Sequence, residues 1–315
     1  MKKCLACLGA LNNGEEIEYH AKCLKEFWLD DTPVLQLDYA LSELEELARA
    51  NIAQCVIVPG VQPKLSLGIN QKEESARLTI VGALQGRYIL KPPYLPYRKM
   101  PEIESLAMLM ARACGIPTVP FLLIRLKGGE LAYLTRRIDR DGKGNKFAME
   151  DACQFTQKPT ERKYKGSHEQ IVREILRYNG RRLVDVIRFY EQVIVSYLIG
   201  NNDMHLKNFS LIAKNPGSYQ LAPAYDLLAV RLLLPEDDEE LALTLNGKRK
   251  RLKKKDFDSA MFKAGLPPKG VENLWKRVHK GTEAWGDLVD RSFLDPDQKE
   301  AMLELMNFNF SKIWG

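Results

Sequence analysis

No run of apolar side chains in these 315 residues approaches the roughly 20 that a membrane-spanning helix needs. The opening stretch MKKCLACLGALNNGEE reaches Asn12, Asn13, Gly14 and Glu15 before a signal-peptide core can form, so the expectation is a cytoplasmic protein with no membrane partner. Cysteine is scarce: six residues do not make a disulfide scaffold in a chain of this size. Internal repeats and low-complexity linkers are absent as well, which excludes solenoids and tethered modules. What remains, at 45% hydrophobic and 28% charged, is an ordinary globular composition, long enough for two lobes or two small domains.

The net charge of +6 is modest but unevenly spread. Lys248 to Lys255 (KRKRLKKK) places seven cations in eight residues, enough to attract phosphates from an exposed face. Acidic LPEDDEE, Leu234 to Glu240, lies just upstream and favours a solvated, internally neutralised loop instead. No DNA-reading motif accompanies the basic run, so any DNA contact is expected only through a partner.

The chain changes character along its length. Leu41, Leu44, Leu47 and Ala48 fall at helical spacing with acids between them. Pro59, Gly60 and Pro63 forbid a helix over Cys55 to Leu67, which reads as two strands around a turn. Arg77 to Ala83 and Arg87 to Leu90 read as the arms of a hairpin. A helix over Glu102 to Cys114 is opened by Pro101 and stopped by Gly115, and Phe121 to Arg125 and Leu131 to Thr135 form a further strand pair. From Ser167 onward long amphipathic helices take over, His168 to Tyr178 and Leu183 to Ile199, then short strands, then helices from Asp256 to the end. The expected class is α+β, a two-lobed protein-kinase-like fold with a small β-rich N-lobe and a larger, mainly helical C-lobe. The expected divisions are a Cys/His segment over 1–30, the N-lobe over 31–140 and the C-lobe over 141–315.

Several residues in chain order suit phosphoryl transfer. The turn Gly60-Val61-Gln62-Pro63-Lys64 offers backbone N–H groups and an ammonium to phosphates, although a hairpin turn of this composition is commonplace. Lys91, closing Tyr88-Ile89-Leu90-Lys91, can reach α and β phosphates if a carboxylate holds it, and Glu104 on the next helix is the candidate. More specific is GNNDMHLKNFSLI, Gly200 to Ile212, a polar knot between two apolar elements. Asp203 suits the acceptance of a hydroxyl proton, and Asn208, five residues on, can ligate magnesium, which is the spacing of a kinase catalytic loop. Asp226, in Leu221-Ala222-Pro223-Ala224-Tyr225-Asp226-Leu227, would complete the metal site. An Asx-capped turn explains one acid and one asparagine, but not two acids, an asparagine and an upstream strand lysine in that order.

With those stretches the chain resembles the HipA-like serine/threonine kinase family, the toxin component of bacterial toxin–antitoxin modules. The resemblance runs through GVQPKLSL (60–67), YILKPP (88–93), RRIDR (136–140), MEDACQ (149–154), YKGSHEQI (164–171), the knot, LAPAYDLL and LTLNGKR. It implies ATP and magnesium as cofactors, Lys91 on the ATP phosphates with Glu104 as its partner, Asp203 as catalytic acid–base, and Asn208 and Asp226 as magnesium ligands. His205 and Lys207 would shape the loop or meet the γ-phosphate, and Arg137 and Ile138 would lie at the adenine hinge. The implied substrate is an aminoacyl-tRNA synthetase. Two departures stand out. Family members often carry a serine just before the glycine of the phosphate loop whose autophosphorylation silences the kinase, whereas Cys55 to Gly60 holds no serine or threonine and Ser66 lies after the glycine. The small β-rich subdomain that precedes this loop in longer members has no room here, so the resemblance is to the shortened type, with a small antitoxin protein encoded nearby as the expected partner.

Cys4-Leu5-Ala6-Cys7, then His20 and Cys23, give C-x2-C, a gap of twelve and H-x2-C, a soft-ligand set close to a zinc knuckle. The alternative is four reduced side chains packed under Phe27 and Trp28. Two rival functions are a kinase-fold binding module for an antitoxin or repressor, and a small-molecule kinase; intact Lys91, Asp203, Asn208 and Asp226 weigh against the first.

Overall fold

The computed structural model describes residues 2–12, 17–29, 33–54, 63–70, 77–82, 85–141 and 145–315. Two compact units emerge, one of Met1–Ser105, Val119–Asn145 and Arg291–Phe293, the other of Leu106–Thr118, Lys146–Asp290 and Leu294–Gly315. Among the described residues no helix is long and apolar enough to cross a membrane.

The first unit is built on one sheet. Its elements are α1 (Ala21–Trp28), β1 (Gln36–Leu37), α2 (Leu41–Gln54), β2 (Leu65–Asn70), β3 (Arg77–Ile80), β4 (Tyr88–Lys91), the start of α3 (Met100–Ala113), β5 (Phe121–Leu126) and β6 (Leu131–Arg136). The strands lie in the order β1-β5-β6-β4-β2-β3, antiparallel throughout except for the parallel pair β1 and β5. Alternation sends Leu65 and Leu67 of β2 and Tyr88 and Leu90 of β4 into the core, where Phe27 and Trp28 of α1 pack on Tyr88 with ring centroids 5.8 and 5.2 Å apart.

The hairpin expected between 77–83 and 87–90 is corrected: β3 and β4 lie on opposite sides of β2, and Leu67 is flanked by Ile80 on one side and Tyr88 on the other. The connection closes on β2 from both edges, Val81 N–H donating to Ser66 O at 2.9 Å and Arg87 N–H to Leu67 O at 2.9 Å. Gly86 makes that crossing sterically possible. A Cβ there would lie 2.0 Å from Ser66 Oγ and 2.9 Å from the Leu67 backbone. Of the two strands expected over 55–67, the second is β2; the first falls on 55–58, outside the described residues.

The second unit holds β7 (Ala148–Asp151), α4 (Ala152–Phe155), α5 (His168–Tyr178), α6 (Leu183–Leu198), β8 (Ser210–Ala213), β9 (Tyr219–Leu221), α7 (Val230–Leu233), α8 (Lys254–Lys263), α9 (Pro268–Thr282), α10 (Trp285–Arg291) and α11 (Pro296–Trp314). A three-stranded antiparallel sheet runs β7-β8-β9. Helix α6 is its axis: Val186, Phe189, Tyr190, Val193, Ile194 and Tyr197 are all buried, so this helix is apolar around most of its circumference. At its C-terminus, Val195 O and Ser196 O accept from the N–H groups of Ile199 and Asn201, and Asn309 of α11 adds a side-chain anchor, its Nδ2 donating to Tyr197 O at 3.0 Å and Leu198 O at 3.2 Å. That anchor sets where the chain leaves α6 and enters the polar loop at 200–208.

Gly86→Ala should lower the urea midpoint, at a cost of about 1–3 kcal/mol, because the added methyl overpacks against backbone that cannot retreat. An unchanged midpoint would contradict the close approach of Gly86 to β2.

Candidate active site

In the first unit, β4 ends at Lys91 because Pro92 and Pro93 cannot continue the ladder. Lys91 Nζ donates to Glu104 Oε1 of α3 at 2.6 Å, and both residues are buried, 5% and 1% exposed. The same ammonium stands 5.5 Å from the centre of the Tyr133 ring on β6. A buried ion pair carries a heavy desolvation penalty, so its presence beside a strand end marks a position where charge is wanted. Further along, the Arg137 guanidinium grips Asp139 in a fork at 2.9 and 2.8 Å, and Arg137 N–H donates to Arg87 O. Burial opposes ionisation of Asp139, but the Arg137 fork outweighs it and holds this carboxyl below its usual range. Ile138 is half-buried and Lys64 exposed, while Gly60, Val61 and Gln62 lie outside the described residues.

In the second unit the loop after α6 is organised around one residue. Asp203 N–H donates to Asn201 Oδ1 at 3.2 Å, and Asp203 O accepts from His205 N–H at 2.8 Å and from Asn208 Nδ2 at 3.0 Å. The main chain of Asp203 is thus held at both its donor and its acceptor. Its half-buried carboxylate takes a hydrogen bond from Tyr164 Oη at 2.6 Å. Burial and this bond to an acid both push the Tyr164 hydroxyl up, so it stays a donor.

Asp226 has a left-handed backbone, φ 59°, uncommon for a residue with a Cβ and a form of strain that concentrates at functional sites. Before it, Tyr225 Oη shares a hydrogen bond with Ser210 Oγ at 2.6 Å and donates to Lys207 O at 2.9 Å, tying the Asp226 segment to the loop. Lys207 Nζ reaches Asp151 Oδ2 at 2.8 Å, while Asp151 Oδ1 caps α4 by accepting from Gln154 N–H. His205 is buried edge-on against the Tyr164 ring, 5.1 Å away. Burial drives its pKa down, against the opposing pull of Asp203 and Asp226, whose charges both reach it. The loop therefore gathers Asp203, His205, Lys207 and Asn208, with the segment that carries Asp226 tied to it through Tyr225.

A model of the HipA-like C-terminal domain matches residues 56–285. The chain belongs to that family. A putative kinase of Haemophilus influenzae is 30% identical over 188 residues, 56% of this chain and 53% of that protein. A putative kinase of Sinorhizobium fredii is 32% identical over 224 residues, 67% of this chain and 54% of that protein. The HipA-like chain thus spans about half the length of these relatives. Among solved structures, HipA from the Shewanella oneidensis HipA, HipB and operator DNA complex superposes with a TM-score of 0.69 at 19% identity, covering 89% of this chain and 72% of that one. The Helicobacter pylori proinflammatory kinase CtkA gives 0.54 at 16% identity, over 78% and 93%. At such identities the likeness is one of fold, and it bears out the expected α+β, kinase-like class.

Two participants of the HipA-like site went without a role in the sequence reading. Asp151 sits inside the MEDACQ stretch, and its capping pattern, an acid three residues before Gln154, was the one available signal. Tyr164 gave none, because 39 residues separate it from the carboxylate it bonds. The basic run behaves as its acidic neighbours suggested: Lys250 pairs with Asp238, Arg249 with Glu239 at 3.6 Å and Lys248 with Asp256 at 2.7 Å. Beneath the loop, His168 is buried between Phe189 and Phe209, with no hydrogen-bond partner at either ring nitrogen among the described residues. At the N-terminus, the ligand atoms of Cys4, Cys7, His20 and Cys23 all lie within 4.8 Å of one another.

Lys91→Met strands a buried carboxylate and should cost about 3–5 kcal/mol in denaturant unfolding, whereas Lys91→Met with Glu104→Leu should recover most of that loss. Equal losses in the single and double variants would show that the pair is not buried as described. Burial lowers the His168 pKa to about 3, from an ordinary value near 6.5. Between those values the unfolded chain binds a proton that the folded one refuses, so stability falls as pH falls through the window. From about pH 7.5 to about pH 5.5 the His168 contribution should drop by about 1.4 kcal/mol, and His168→Leu should remove that part of the slope.

Proposed function

We propose that this chain is an ATP- and magnesium-dependent protein serine/threonine kinase, acting as the toxin of a toxin–antitoxin pair. The observation that carries this reading is the Asp203 to Asn208 loop: the carboxamide of Asn208 is locked to the backbone carbonyl of Asp203, and Tyr225, the residue before Asp226, is tied to the same loop at Lys207 O. Asp203 accepts the proton of a serine or threonine hydroxyl as that oxygen attacks the γ-phosphorus of ATP and ADP leaves. Asn208 and Asp226 are hard oxygen donors suited to magnesium, which offsets phosphate charge when bound. Lys91, steadied by Glu104, binds the nucleotide phosphates, and Gly60, Val61, Gln62 and Lys64 are assigned to the same task from their sequence. The backbone around Arg137 and Ile138 meets the adenine; the Arg137 guanidinium is already committed to Asp139. Lys207 and His205 act as loop-shaping groups, one through Asp151 and the other through Tyr164.

The substrate class that the family likeness supports is a component of translation, an aminoacyl-tRNA synthetase. The Shewanella HipA is seen with HipB and operator DNA, and a small antitoxin encoded nearby is the corresponding partner proposed here. The internal pairing of the Lys248 to Lys250 run supports DNA contact through that partner and not through this chain. No step of the reaction passes through the N-terminal Cys/His cluster.

Purified protein and its Asp203→Asn copy, each incubated in a cell lysate with magnesium and a thiophosphate-donating ATP analogue, separate the possibilities. Labelling of serine or threonine in a discrete target by wild type alone is expected. Equal labelling by both, with ATP binding intact, would overturn the catalytic assignment and leave a binding module.

A further inference from the structure

We propose that Cys4, Cys7, His20 and Cys23 bind one zinc ion, and that this ion clamps α1 and the N-terminal turn onto the edge of the sheet that carries Lys91. Three thiols and one imidazole lie within 4.8 Å of one another, close enough for a small inward shift to bring them to a tetrahedral site, where zinc–sulfur bonds of about 2.3 Å place the sulfurs about 3.8 Å apart. All five cysteines among the described residues are free thiols, so no disulfide competes for these sulfurs.

The backbone of the N-terminal turn brings these ligand atoms together. His20 N–H donates to Cys4 Sγ at 3.4 Å. The turn closes through Cys4 N–H to Gly9 O at 2.8 Å, and Leu8 takes up a left-handed φ of 61° to make it. At Gly9 a Cβ would stand 3.0 Å from His20 Cε1 and 3.3 Å from Cys7 Sγ, so the absence of a side chain lets the two halves of the site approach. His20 has its tautomer chosen for it: Nε2 lies 3.0 Å from Ala10 O, the outer partner that a ligating imidazole needs, while Nδ1 lies 3.3 Å from Cys7 Sγ.

The ligands come from two places that the ion would join. Cys4 and Cys7 lie on the turn whose Leu5 carbonyl accepts from Leu123 N–H of β5 at 3.0 Å; Cys23 lies on α1, whose Phe27 and Trp28 pack on Tyr88 of β4. Between them, Tyr19 Oη donates to Leu123 O at 2.8 Å and Glu18 forks onto Arg125. This segment covers the part of β5 that the two-residue β1 leaves unpaired. A set of ligands drawn from two elements couples metal affinity to the docking of both.

The test uses the full chain, purified without chelator. Elemental analysis should find about one zinc per chain, falling to under about a tenth in Cys7→Ser with Cys23→Ser, while His20→Cys and the remote Cys114→Ala keep it. Stripping the metal should lower the thermal midpoint and expose 2–29 to limited proteolysis, both restored by zinc. If the double variant fails to fold, cobalt exchanged into wild type gives the independent readout: absorption bands of a tetrahedral cobalt–thiolate centre are expected. Metal-free protein with intact proteolytic resistance, iron in place of zinc, or a disulfide among these cysteines would each overturn the proposal. None of these readouts depends on kinase activity, so its failure and that of the catalytic reading are distinguishable.

Discussion

One carbonyl oxygen, that of Asp203, sets the geometry on which the candidate site depends. It accepts from the backbone of His205 and from the side chain of Asn208, and so turns a stretch of polar residues into a closed loop. The five-residue interval between acid and asparagine has a mechanical reason. It is the length over which the chain can leave Asp203, pass one short 3-10 turn at Leu206–Asn208, and return a carboxamide to the carbonyl it left. The same bond engages the amide nitrogen of Asn208, so the oxygen is the atom suited to a cation.

Everything around the loop keeps it from relaxing. Asn309 seals the end of α6, His168 and Phe189 pack against Phe209, and Tyr225 ties the Asp226 segment to Lys207. The left-handed turn at Asp226 is strain that this packing sustains. Lys91 and Glu104 follow the same logic in the other unit: charges held dry by neighbours, at a cost that an ordinary surface pair would not bear.

What the sequence disclosed follows from how local each signal is. Helices α5 and α6 were legible because their apolar spacing repeats over three or more turns, and the loop because all of its groups sit within nine residues. The pairing of β3 and β4 across β2 was not, since strand partners are chosen by contacts that a Gly86 crossing permits and a linear pattern does not record. Tyr164 escaped for the same reason, its one informative bond being to a residue distant in sequence. The Cys/His spacing suggested a candidate ligand set, but not that Leu5, Glu18 and Tyr19 between those residues would be fastened to β5.

The central claim is that Asn208 and Asp226 hold a magnesium ion for a nucleotide bound beside Asp203. The most direct measurement is calorimetric ATP affinity with and without magnesium, for wild type and for Asp226→Asn. The account predicts that magnesium tightens ATP binding to wild type tenfold or more, about 1.4 kcal/mol, and does little for the variant. The same magnesium dependence in both proteins would contradict it.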